Sequence, residues 1–169
     1  MPKLPIKTLA ITYICTQALC AGFILFHAHL LPDMVASLFD IAGQANASMQ
    51  REQFIYTYLV LLLLTPGLVA LQPIVINRLP KRMVKLLDGD QSVEVEKVDH
   101  KVKTLQVFFL VFAIKLTCFL GSVYWLVVRA NLTDPPMISI PQLTIVTSIF
   151  LLLVVFWSMW FRAYSKRTK

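Results

Sequence analysis

The chain has 169 residues, of which 57% are hydrophobic and only 15% charged, and its net charge is +7. A soluble domain is nearer half apolar and about a quarter charged; here the apolar residues gather into four long runs that take up more than half the chain and leave little for a soluble module. The basic excess falls just outside those runs, which argues against nucleic acid as a partner, and the three cysteines inside them (Cys15, Cys20, Cys118) have neither the number of a disulfide framework nor a metal-ligand spacing.

Each run reaches the length of about 18 apolar residues that reads as a membrane-spanning helix. The pattern predicts an all-α fold, one transmembrane domain over 1–169 with four helices in a bundle. The first span covers 8–31, after Lys3 and Lys7. A signal peptide also begins with positive charge, but its apolar core is only about 7–15 residues long. No small-x-small cleavage pair follows, since Phe26-His27-Ala28-His29 stands there, so the span is expected to be retained.

A polar loop is expected over 32–53, with Asp33, Asp40, Gly43 and Asn46. The second span, 54–76, has Tyr56 and Tyr58 at its edge, where amphipathic aromatics favour the interface. Pro66-Gly67 near its middle removes a backbone hydrogen bond and predicts a kink. The loop over 77–104 carries a basic rim, Arg78, Lys81, Arg82 and Lys85, of the kind that faces anionic lipid. Asp88-Gly89-Asp90 is a turn signal, and Ser92 with Glu94 and Glu96 can open a helix. Val95, Val98, Val102 and Leu105 then recur at helical spacing, extending the third span toward the cytoplasm. That span covers 105–128 and ends at Tyr124 and Trp125; a short loop, 129–142, leads to the fourth span, 143–161, which closes on Trp157, Trp160 and a basic tail.

Charge sets the orientation. Thirteen of the 16 Lys and Arg lie on one side: Lys3 and Lys7, then Arg78, Lys81, Arg82, Lys85, Lys97, Lys101 and Lys103, then Arg162, Lys166, Arg167 and Lys169. Arg51 and Arg129 stand opposite. By the positive-inside rule both termini are expected in the cytoplasm.

The remaining cation, Lys115, falls near the middle of span three, where a charge is expensive and marks a functional candidate. All nine carboxylates lie outside the spans. Lys115 is thus left to lose its proton, bond backbone carbonyls, snorkel, or meet an acid from another subunit. His27 and His29 stand near Asp33, but residues two apart on a helix point about 200° apart and cannot share a metal there. The spacing predicts interfacial packing for the two histidines and solvation for His100. No glycine-rich phosphate loop, HExxH or nucleophile–base pattern is present, so no enzyme activity, cofactor or metal is expected. Two sequons, Asn46-Ala47-Ser48 and Asn131-Leu132-Thr133, fall on the outer side.

The run Leu31-Pro32-Asp33-Met34-Val35-Ala36, then Phe39, Gly43 and Met49-Gln50-Arg51 before Phe54, resembles a bacterial membrane domain of unknown function found at the N-terminus of SdpI-type immunity proteins. Val128-Arg129-Ala130-Asn131 followed by Pro135-Pro136 is similar to that family's stand-alone, four-helix members. Where the family carries a histidine this chain has Leu38, and its Asp-Gly-Trp-like stretch is here Asn46-Ala47-Ser48. The signature after span two is replaced by Lys85-Leu86-Leu87 and the Asp88-Gly89-Asp90 turn. The resemblance implies a multi-pass protein of the bacterial inner membrane and says little about activity. The expected function is that of a non-enzymatic accessory or interaction subunit, in contact with the bilayer and with a membrane-protein partner or a second copy. The alternatives are an immunity or sensing protein acting through 32–53, and a small transporter or channel component. For the outer side, His27, His29, Asp33, Asp40, Gly43, Arg129 and Asn131 are the candidate residues.

Overall fold

The computed structural model describes residues 6–78 and 95–167, with side chains over 6–72 and 103–163. Helix α1 (Ile6–His27) runs into a 3-10 turn (Ala28–Leu30), followed by strands β1 (Met34–Phe39) and β2 (Ala45–Gln50). Then come α2 (Arg51–Arg78), α3 (Val95–Asn131) and α4 (Ile140–Arg167). Among the described residues four helical stretches are long and apolar enough to cross a membrane: Ile6–Leu30, Arg51–Gln72, Lys103–Asn131 and Ile140–Ala163. Their backbones close their own hydrogen bonds, as lipid requires. The basic-rim residues Lys81, Arg82 and Lys85, the Asp88-Gly89-Asp90 turn, Ser92 and Glu94 lie outside the described residues.

The helices do not pack as four equals. Helix α3 lies along α1, α2 and α4, whereas α4 makes its main contact with α3 alone. In the apolar window of α4 no residue is buried. The arrangement is a three-helix core, α1–α2–α3, with α4 on its flank.

Between α1 and α2 the all-α reading needs correction, because the expected polar loop is an antiparallel β-hairpin. Met34 pairs with Gln50, Val35 with Met49 and Ala36 with Ser48; irregularities on either side of Leu38 then shift the register toward Leu38–Ala47 and Phe39–Ala45. The turn is built by Asp40, whose Oδ1 accepts from the Ala42 N–H at 2.9 Å and the Gln44 N–H at 2.8 Å. Asp readily bonds its own backbone in turns and Gly supplies positive φ without steric cost; Gly43 adopts φ 84° here.

The densest packing lies where the hairpin meets the helices, at what we call the hairpin end. Ile24, Leu31, Val35, Phe54, Leu62 and Tyr124 form its centre. Tyr58 and Tyr124, expected at the interface, face inward instead: Tyr124 donates from its hydroxyl to Ile24 O at 3.0 Å and Tyr58 to Leu120 O at 2.7 Å. Tyr56 remains exposed. A buried tyrosine hydroxyl needs such a partner, and each bond ties one helix to another.

Candidate functional site

Helices α3 and α4 meet along an aromatic seam. Phe108, Phe112, Lys115 and Phe119 recur on α3 at intervals of three and four, as do Phe150, Leu153, Trp157 and Phe161 on α4. That spacing keeps one stripe of each helix against its neighbour. Phe119 stacks on Phe150 with centroids 4.5 Å apart, and Phe108 meets Phe161 at 4.7 Å. Lys115 takes the position between these pairs.

The Lys115 ammonium is held by α4. Nζ donates to Leu153 O at 2.9 Å and stands 4.9 Å from the centroid of the Trp157 ring. Leu153 and Trp157 are one turn apart, so the carbonyl and the ring face share one side of α4. Of the options open to Lys115 from sequence, the backbone carbonyl is the one seen. Trp157 itself stacks on Trp160 at 5.0 Å, and its indole Nε1 is buried without a partner.

In the three-helix core, α2 continues as one helix through Pro66-Gly67. Pro66 has no N–H to give to the Leu62 carbonyl. Gln17 of α1 fills that place, its Nε2 donating to Leu62 O at 3.2 Å and to the Tyr13 hydroxyl at 2.8 Å. Gln17 is 7% exposed, and its Oε1 has no partner.

At the hairpin end the candidate residues divide. Asn131, the last residue of α3, is buried and treats β1 as a neighbouring strand would. Its Oδ1 accepts from the Ala36 N–H at 2.7 Å, while Nδ2 donates to Ala36 O at 3.1 Å and Val127 O at 2.9 Å. The Asn131 sequon nitrogen is therefore fully engaged in the fold. Gly43 touches the α3–α4 connection, where the Ile138 N–H donates to Gly43 O at 2.8 Å. Asp33 pairs with Arg51 at 3.3 Å, and Arg51 also donates to Leu31 O at 3.2 Å, closing the base of the hairpin over the end of α1. His27 and His29 each place Nδ1 against a carbonyl of the preceding turn, Phe23 O at 2.9 Å and Phe26 O at 2.7 Å. The His27 ring packs between Phe23 and Trp125. Arg129 is exposed. Among the described residues no group of three His, Cys, Asp or Glu is placed to hold a metal.

Asp40, Gly43, Asp33 and Asn131 thus serve to build the hairpin and dock it. Sequence reasoning missed Arg51, Gln17 and Trp157. For Trp157 a signal existed, the heptad-like stripe shared with Phe150 and Phe161; for Gln17 it was a lone amide in an apolar run facing a proline one helix away.

Comparison with protein-family models, curated proteins and solved structures finds no match to this chain.

Proposed function

We propose that this chain is a non-enzymatic integral protein of the bacterial inner membrane, with both termini in the cytoplasm, serving as an accessory or interaction subunit of a membrane complex. The observation that carries this reading is α4. Its main packing is the seam with α3, none of its apolar window is buried, and that seam holds an intramembrane cation. Lipid alone can cover apolar residues, but a lysine there marks a contact with function. Orientation and compartment rest on the thirteen-to-two charge bias and on the family resemblance. Extracting the chain in its native lipid and weighing the particle tests the proposal. A stoichiometric membrane-protein partner is expected; a chain that leaves the membrane only as itself contradicts it.

A second reading takes support from the hairpin, which is a built element with exposed apolar residues. Ile41 at its tip is 100% exposed, and Met34 and Leu38 are also open. An immunity or sensing protein would present such a surface to an extracytoplasmic partner. Protection against a toxin, lost on changing Ile41 and Leu38 to Ser, is the outcome that reading requires. The transporter alternative has less behind it, since α2 is unbroken and its proline-freed carbonyl is capped from α1.

A further inference from the structure

Lys115 and Trp157 form a site made of donors. An ammonium has three hydrogens to give; among the described residues Nζ donates to Leu153 O, and the nearby Trp157 Nε1–H has no acceptor. A carbonyl and a ring face ease the ammonium's burial but bring no negative charge. Among the described residues the one ion pair is Arg51–Asp33, at the hairpin end. Among the described residues no carboxylate meets Nζ and nothing accepts from the Trp157 indole N–H.

We propose that the α3–α4 seam around Lys115 is the docking face for a transmembrane helix of another protein, one that carries an Asp or Glu near its midpoint to pair with Nζ. This deepens the reading of the chain as an interaction subunit and rests on it. Depth argues for a helix over a lipid headgroup. Lys115 lies about 18 Å along α3 from Lys103, and Leu153 about 15 Å along α4 from Ala163, at roughly 1.5 Å per residue. In a hydrocarbon layer of about 30 Å both positions are near the midplane, out of reach of a phosphate at the surface. Charge argues against a second copy of this chain. None of its nine carboxylates lies within the apolar interior of a span; Glu52 comes nearest, as the second residue of α2. Self-pairing would therefore set lysine against lysine. Access is provided at the seam itself, where the Lys115–Leu153 hydrogen bond is exposed and Leu153 is 49% exposed.

The test uses the full chain, fluorescently labelled, in phosphatidylcholine vesicles with an acceptor-labelled polyleucine transmembrane peptide bearing one central Asp. Energy transfer reports association, with the same peptide bearing a central Leu as control. The Asp peptide is expected to bind the wild-type chain roughly tenfold more tightly than the Leu peptide. Lys115→Leu should abolish that preference and Lys115→Arg should keep it. Equal binding of the two peptides to the wild-type chain overturns the proposal with no variant needed. So does a preference that survives Lys115→Leu, or one that phosphatidylglycerol competes away, which would make a lipid the occupant. If a native membrane partner is found and Lys115→Leu leaves it bound, the site is misassigned while the interaction-subunit reading stands. A wild-type chain with no native partner is instead the failure of that reading.

Discussion

Gln17 on α1 donates its amide hydrogen to Leu62 O on α2, the carbonyl that Pro66 deprives of its helical donor. The two residues lie 45 positions apart in sequence, and neither suggests the other until the helices are packed. A proline in a spanning helix is tolerated when a neighbouring side chain takes the freed carbonyl. Gln17→Leu should therefore lower stability by about 1–2 kcal/mol. In a Pro66→Ala background, where residue 66 regains its own N–H, the same change should cost clearly less. Unfolding in mixed micelles, run as a double-mutant cycle, measures the coupling; strict additivity would contradict this account of Gln17.

Asn131 carries a second prediction. Its side chain makes three hydrogen bonds that hold β1 against the end of α3. Asn131→Ala should destabilise the hairpin end by about 2–3 kcal/mol, with unsatisfied groups at Ala36 the main cause. Asn131→Asp should do at least as much harm, because an oxygen would replace the donor facing Ala36 O and Val127 O. Protease cleavage within the hairpin, followed over time, reads both variants. Wild-type resistance in Asn131→Asp would show that the amide donor is not needed.

Gly43 is constrained twice, by its φ of 84° and by its neighbour, since a Cβ there would stand 2.5 Å from Ile138 O. Relief requires the α3–α4 connection to move. Gly43→Ala should cost about 1–3 kcal/mol and expose the hairpin and the segment around Ile138 to hydrogen exchange together. Gly22, with nothing within 4 Å of its added Cβ, is the matched control. Its alanine variant should leave exchange at the hairpin unchanged.

The charge bias predicts topology. Alkaline phosphatase inserted at Ile41 should be active, and the same enzyme fused after Lys169 should be inactive, because it folds only outside the cytoplasm. The opposite pattern would reverse the orientation and move the hairpin inside.

How much was legible in the sequence follows from what each element is made of. The four spans show because uninterrupted apolar runs have few other uses. The hairpin did not show. Its second strand, Ala45–Gln50, contains no β-branched or aromatic residue, and the irregularity after Ala36 breaks the alternation expected of the first. Tyr58 and Tyr124 misled because an amphipathic ring suits an interface and a hydrogen-bonded core equally well. Lys115 was visible as an oddity, yet its setting depended on pairing two aromatic stripes from different helices. Residues 129 and 131, both outer-side candidates, parted for a geometric reason: at the end of α3 one faces out and the other faces β1.

The central claim is that α4 and its seam with α3 form the contact face of an interaction subunit. Photo-crosslinking side chains placed singly around α4, at Ile149, Phe156 and Met159, and at Leu19 on the exposed side of α1 as reference, test it in native membranes. The account predicts one discrete protein adduct from α4 positions, weakened by Lys115→Leu, and only lipid adducts from Leu19. Lipid adducts alone from every α4 position, in cells where the chain is at its natural level, would contradict it.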